Sequence, residues 1–259
     1  MRALAVDNDV IVFISRVWQT TCTAVRAGDE GFLIDSVVYP DELAAVPGVL
    51  EQAAFPISGL LATHADWDHL LGRLAFPEAS LGCGETTAQR ITGELGAPQR
   101  ALRAFDEEHY VDGRTPLALA AVQSLPVPGL LSVGPDKEIQ LHETGGHTAD
   151  GTAFALPWLG VLVLGDYVSP VEIPMISAGG SLDAYRATLE RLRPLIEQAG
   201  TVIPGHGAPM PRDDAVGVLE QDLAYLETLH RGHDPRLPDG RRTARQRQIH
   251  ADNLARIAG

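Results

Sequence analysis

The 259-residue sequence has only two cysteines, a single lysine and few aromatic residues (5%). Cys22 and Cys83 are too few for a disulfide framework or a zinc finger, which excludes the small stapled folds. Lys137 is the lone lysine, so basic charge rests on arginine, and the formal net charge is −14. A nucleic-acid partner needs a clustered basic surface to displace counterions from phosphates. The one dense basic run, Arg241-Arg242-Thr243-Ala244-Arg245-Gln246-Arg247, reads at helical spacing as a solvated face. Neither nucleic acid nor an anionic membrane is therefore expected as a partner. No run approaches the ~18 apolar residues of a membrane span. Met1 to Asp7 turns acidic before any stretch of signal-peptide length. A cytoplasmic protein is the expectation, and the oligomeric state is left open.

Hydrophobic residues make up 45% and charged residues 21%, the balance of a globular domain able to bury a sizeable core. Glycine and proline are plentiful but scattered, which favours many short turns. β-rich runs at Val10–Ile14, Thr20–Arg26 and Phe32–Ile34 precede a helix over Asp41–Ala53, entered through Pro40. A compact apolar run, Ile57–Ala62, reads as a buried strand. Helical pattern follows from Glu85 to His109, broken near Gly96-Ala97-Pro98. Strands return at Ser124–Val127, Glu138–His142, Thr152–Leu156 and Val161–Leu164. From Ser181 to Gln198 one helical face carries Leu182, Tyr185, Leu189, Leu192 and Ile196. Thr201–Ile203 is the last strand, and helices near Asp213–His230 and Thr243–Ile257 close the chain. Two groups of strands, each followed by helices, indicate an α/β fold. Residues 1–212 are expected to form one catalytic domain, with 213–259 a helical extension packed on it.

The chemistry is concentrated just after strands. Thr63-His64-Ala65-Asp66-Trp67-Asp68-His69 places four potential metal ligands within six residues. In extended chain, residues two apart share a side, so His64 and Asp66 can face one ion. A turn into helix at Asp68 would swing Asp68 and His69 toward a second. Imidazole and carboxylate suit zinc, iron or manganese. Glu143-Thr144-Gly145-Gly146-His147, Val161-Leu162-Val163-Leu164-Gly165-Asp166 and Thr201-Val202-Ile203-Pro204-Gly205-His206 each read as strand, glycine turn and ligand. His109, His142, His230, His233 and His250 fit no ligand template.

The order of these segments over Val10 to Gly207 resembles the metallo-β-lactamase superfamily. That resemblance implies a four-layer αβ/βα sandwich with two divalent metal ions, zinc first among them, at one edge. It puts His64, His147 and residue 66 on one ion, Asp68, His69 and His206 on the other, and Asp166 between them. Asp35 corresponds to an aspartate that braces the metal loop from behind. The implied activity is hydrolysis of a small-molecule ester, thioester, lactone, amide or phosphoester, with Asp68 orienting the nucleophile and relaying a proton.

Asp66 departs from the pattern, which usually has a second histidine there. A carboxylate makes the cluster less positive and more tolerant of trivalent metal. The alternative function is accordingly a di-iron or di-manganese oxygen-activating protein of the same fold. A binding protein whose cleft holds no reactive water is a third option. Asp66 is read either as a ligand or as an acceptor behind the ligands. Tyr167 is read as a donor to a developing oxyanion or as a core residue, and Trp67 as a shield on one side of the cleft or a packing residue.

Overall fold

The computed structural model describes residues 1–134 and 136–258. Its first sheet has seven strands in chain order: β1 (Arg2–Asp7), β2 (Val10–Ile14), β3 (Thr21–Ala27), β4 (Glu30–Asp35), β5 (Gly59–Ala62), β6 (Ser80–Gly84) and β7 (Gln123–Leu125). It is antiparallel from β1 to β4 and parallel from β4 to β7. The second sheet runs from β8 (Gly129–Ser132) through β9 (Glu138–Glu143), β10 (Thr152–Leu156), β11 (Val161–Val163) and β12 (Thr201–Ile203) to β13 (Met210–Pro211).

Side-chain alternation along the strands decides the layers. Val10, Val12, Ile14, Val25 and Ile34 of the first sheet meet Ile139, Leu141, Phe154, Val161, Val163 and Ile203 of the second in a shared inner core. The intervening residues Phe13, Cys22, Ala24 and Leu33 face outward. They are covered by α1 (Pro40–Gln52), α2 (Gly72–Ala75), α3 (Glu85–Gly93) and α4 (Ala97–Glu108), through Leu43, Leu50, Ile91, Leu102 and Phe105. On the far side, Ala153, Leu162 and Val202 pack under α5 (Leu182–Gln198), α6 (Arg212–His230) and α7 (Ala244–Ala258). Three apolar cores between four layers make the expected αβ/βα sandwich. No helix among the described residues is long and apolar enough to cross a membrane.

Several strands escape the sequence reading. β1 is largely exposed along its length and so carries little hydrophobic alternation. β6 is Ser-Leu-Gly-Cys-Gly, weak in β-formers. It is tolerated because the side chains of Leu61 and Leu125 close over the bare face of Gly82. The short β8 and β13 were likewise not anticipated.

The basic run near the C-terminus needs a correction. Arg241 is not solvated: it is 2% exposed and ion-paired with Asp222 in the outer core. It also donates to the carbonyls of Ser169 (3.2 Å) and Glu172 (2.9 Å). Arg245 bonds the Glu172 carboxylate at 2.9 Å and lies 4.1 Å over the Trp18 ring. The run pins the chain after Asp166, and helical spacing alone could not distinguish that from a wet face.

Candidate metal centre

The C-terminal ends of β5, β11 and β12 and the turn between β9 and β10 come together at one end of the sandwich. Backbone bonds join the two sheets there, from Thr152 N–H to Thr63 O and from Thr21 N–H to Gly205 O, each 2.8 Å. Side chains at these ends are held by rigid strands yet remain free to converge.

After β5 the chain bends through Thr63–Asp66, with Asp66 itself in extended conformation, then makes a 3-10 turn over Trp67–His69. That stretch brings His64 and Asp66 together, with 3.7 Å between His64 Nε2 and Asp66 Oδ2. The turn carries Asp68 and His69 to the other side. Ser36 fixes it, its hydroxyl donating to Asp68 O at 2.7 Å and accepting from Leu71 N–H at 3.0 Å. His147 Nε2 lies 3.4 Å from Asp66 Oδ2, and His206 Nε2 lies 3.7 Å from Asp68 Oδ2. His64, Asp66 and His147 thus form one cluster, and Asp68, His69 and His206 another. Asp166 sits between them, with its carboxylate oxygens 3.2–3.8 Å from the Nε2 atoms of His64, His69, His147 and His206.

Each imidazole is aimed by its other nitrogen. His64 Nδ1 meets Thr63 Oγ1 at 3.0 Å, and His147 Nδ1 donates to Met175 O at 2.8 Å. His206 Nδ1 contacts Trp18 O at 3.2 Å and Thr20 Oγ1 at 3.3 Å. His69 Nδ1 bonds Asp35 Oδ2 at 3.0 Å. Asp35 also accepts from Thr63 N–H and Thr63 Oγ1, at 2.8 and 2.9 Å, so one carboxylate ties the end of β5 to His69.

The inward atoms are left over. His64, His69 and His147 Nε2, together with Asp166 Oδ1, are buried without a hydrogen-bond partner. Burying such atoms unpaired is costly, and here the three Nε2 atoms gather around the Asp166 carboxylate, 3.2–3.8 Å from its oxygens. Ligand atoms about 2.0–2.2 Å from one tetrahedral ion lie roughly 3.4 Å apart, close to the observed spacings. The donor set and its orphaned atoms therefore fit divalent metal, with outer hydrogen bonds of the kind that orient metal-bound imidazoles.

The electrostatics of the side chains alone agree. Burial works against charged rings, but Asp166, helped by neighbouring carboxylates, raises His147 and His206 to about 9. Burial likewise opposes the Asp166 carboxylate, yet His206, His69, His64 and His147 hold its pKa well below the ordinary range. Asp66 is depressed in the same way by His147 and His64.

Gly205 is needed for close approach, because a Cβ there would overlap Asp166 Oδ1 and sit 3.0 Å from His69 Cε1. Gly146 has φ +114°, and a Cβ there would run into the Tyr185 backbone.

Tyr167 is 3% exposed, and its hydroxyl accepts the His147 N–H at 3.2 Å. From inside the core it holds the turn that carries His147. Trp67 packs against Phe105 and Trp18, with centroids 4.7 and 5.7 Å apart. It also lines a small cavity of about 140 Å³ with Ala65, Asp66, Arg90 and Pro98.

Sequence reasoning missed two residues next to Asp66. Arg90, on α3, donates to Asp66 Oδ1 and to Asp150 Oδ1, both at 2.8 Å, and Asp150 Oδ2 accepts the Ala65 N–H at 2.8 Å. Asp150 stands three residues after His147, a proximity the sequence does show. Nothing local marks Arg90, which lies on a separate helix.

Solved structures share this architecture. A metallo-beta-lactamase family protein from Thermus thermophilus is 20% identical, with 98% of this chain and 95% of that one covered at a TM-score of 0.69. A metallo-beta-lactamase from Pontibacter korlensis is 16% identical, with 87% and 98% covered at 0.62. The inverting sec-alkylsulfatase Pisa1 from Pseudomonas sp. is 14% identical at a TM-score of 0.70, with 98% of this chain and 49% of that one covered. No curated protein matches the chain. The sequence profile of the metallo-beta-lactamase superfamily matches residues 15–206, a span that starts just after β2 and ends on the last imidazole of the centre. The chain belongs to the metallo-beta-lactamase superfamily.

Proposed function

We propose that the chain is a hydrolase working through two divalent ions, zinc first among them. His64, Asp66 and His147 would hold one ion, Asp68, His69 and His206 the other, with Asp166 shared. The observation that carries this is the set of buried, unpartnered Nε2 atoms of His64, His69 and His147 gathered around the Asp166 carboxylate. Bound divalent ions supply Lewis acidity, polarising a carbonyl or phosphoryl oxygen and making water acidic enough to act near neutral pH.

The chain's own residues do the rest. Asp35, Thr63, Met175 O, Trp18 O and Thr20 fix the ring orientations before substrate arrives. Asp68, held by Ser36 through its backbone, orients the attacking water and takes up its proton at the carboxylate. The substrate class is a small ester, lactone, thioester, amide or phosphoester. The similar structures bear the names of a β-lactamase and an alkylsulfatase, which extends the useful panel to β-lactams and sulfate esters.

Such a panel, run on zinc-loaded protein with and without a strong chelator, tests the reading. Turnover on at least one class, lost on chelation and in Asp68→Ala, is expected. Turnover that survives both treatments would refute it.

Asp66 favours a second reading. A third carboxylate among the donors suits iron or manganese, and with them oxygen chemistry. Reconstitution with each metal, followed by oxygen-uptake measurements, separates the two.

A further inference from the structure

Asp66 is the side chain by which this centre departs from an all-histidine first cluster, and it is also the one held by a cation. Its two oxygens have different neighbours. Oδ2 faces the imidazoles, 3.7 Å from His64 Nε2 and 3.4 Å from His147 Nε2. Oδ1 turns away and accepts from Arg90 Nη2 at 2.8 Å. The guanidinium reaches Asp150 with its other arm at 2.8 Å, and Asp150 grips the Ala65 N–H at 2.8 Å. The result is a closed ring of Arg90, Asp66, Ala65 and Asp150, binding α3 to both ligand loops.

The Asp150 side chain is 2% exposed, whereas those of Arg90 and Asp66 are 24% and 25% exposed. The other acidic group near Arg90 is Glu94, 4.0 Å away and largely in water. One positive charge shared by two carboxylates offsets part of the negative charge that Asp66 adds to the centre.

We propose that Arg90 is a positioning residue of the metal centre, taking up one oxygen of Asp66 so that the carboxylate offers a single oxygen where a histidine would offer a single nitrogen. The planar fork suits this role. Two donors in fixed geometry hold two carboxylates at once, which a lysine ammonium cannot copy. An unrestrained Asp66 could rotate, present both oxygens, or leave the cluster. Loss of Arg90 should therefore weaken the ion bound by His64, Asp66 and His147, and leave the ion at Asp68, His69 and His206 largely unaffected.

This inference rests on the metal-centre reading, and the test keeps the two apart. Zinc binding to the wild type, Arg90→Gln, Arg90→Lys, Asp66→His and the Asp66→His/Arg90→Gln double variant is measured by competition with a chromophoric chelator, resolving each equivalent. Two equivalents are expected on the wild type. Arg90→Gln should weaken one of them by about 10–100-fold, the range for losing a hydrogen-bond partner of a metal ligand, and the other by less than about threefold. The retained equivalent also shows that the variant is folded. Arg90→Lys should fall between the two. With Asp66→His there is no second oxygen to hold, so adding Arg90→Gln should cost that site less than about threefold. Equal affinities in wild type and Arg90→Gln, equal loss at both equivalents, or the same loss in the Asp66→His background would overturn the role of Arg90. A wild type that takes up no zinc would instead overturn the metal centre itself.

Discussion

Asn253, on the last helix, grips the residues on either side of the carbonyl that orients His147. Its amide donates to Pro174 O at 2.7 Å, its oxygen accepts the Ile176 N–H at 2.9 Å, and Met175 O between them takes the His147 Nδ1–H at 2.8 Å. The C-terminal helices are thereby coupled to the centre through one loop. Asn253→Leu leaves a buried N–H unpaired, so a loss of about 1–3 kcal/mol is expected, together with weaker metal binding at the His147 site. Urea unfolding and chelator competition measure the two effects. A fall in stability with unchanged metal affinity would show that the brace does not reach the ligand.

Gly205 tests the closeness of the centre directly. Gly205→Ala drives a methyl into Asp166 Oδ1 and must shift the carboxylate shared by both clusters. Both equivalents should weaken by at least about tenfold, with a stability cost of about 1–3 kcal/mol from overpacking. Metal analysis after dialysis, beside a thermal melt, reads both. Full retention of metal would mean that Asp166 is not shared.

Proton linkage gives a third prediction. His147 and His206 are raised to about 9 by the surrounding carboxylates, chiefly Asp166, against the effect of burial. That lies above the unfolded value of about 6.5. The protonated rings thus stabilise the fold fully below about pH 6.5, and their contribution is lost as pH rises through about 9. Chelator-treated protein should show a Tm that falls over this interval, whereas the zinc-loaded protein should not. A Tm that is flat or rising in the treated protein would contradict the assignment.

The buried pair of Arg241 and Asp222 bears on stability. Burial raises the Asp222 carboxyl to about 7 even against the pull of Arg241. Arg241→Ala strands that group and frees the Ser169 and Glu172 carbonyls, so a loss of about 3–5 kcal/mol is expected at neutral pH. Arg241→Met with Asp222→Leu should cost much less, because no charge is left unpaired. Denaturation midpoints of the three proteins decide it. A loss below about 1 kcal/mol for Arg241→Ala would fit a surface pair instead.

Much of the fold was legible because its apolar, β-rich runs are set off by turn residues and the candidate ligands follow those runs. Thr63 to His69 announced a centre by density alone, and His147, Asp166 and His206 each stood behind glycines that the close approach requires. What stayed hidden was set by distant packing. Arg90 meets Asp66 only because α3 folds over the His64–His69 loop, and Arg241 looks like one more arginine of a basic run until Asp222 is placed opposite it. β6 was invisible because Gly82 gets its cover from Leu61 and Leu125, not from a side chain of its own.

Metal content per chain of freshly purified protein, measured by inductively coupled plasma mass spectrometry, tests the central claim most directly. About two equivalents of divalent metal per chain are expected, falling together when Asp166 is changed to Ala. A folded chain that carries no metal and binds none on titration would contradict the account.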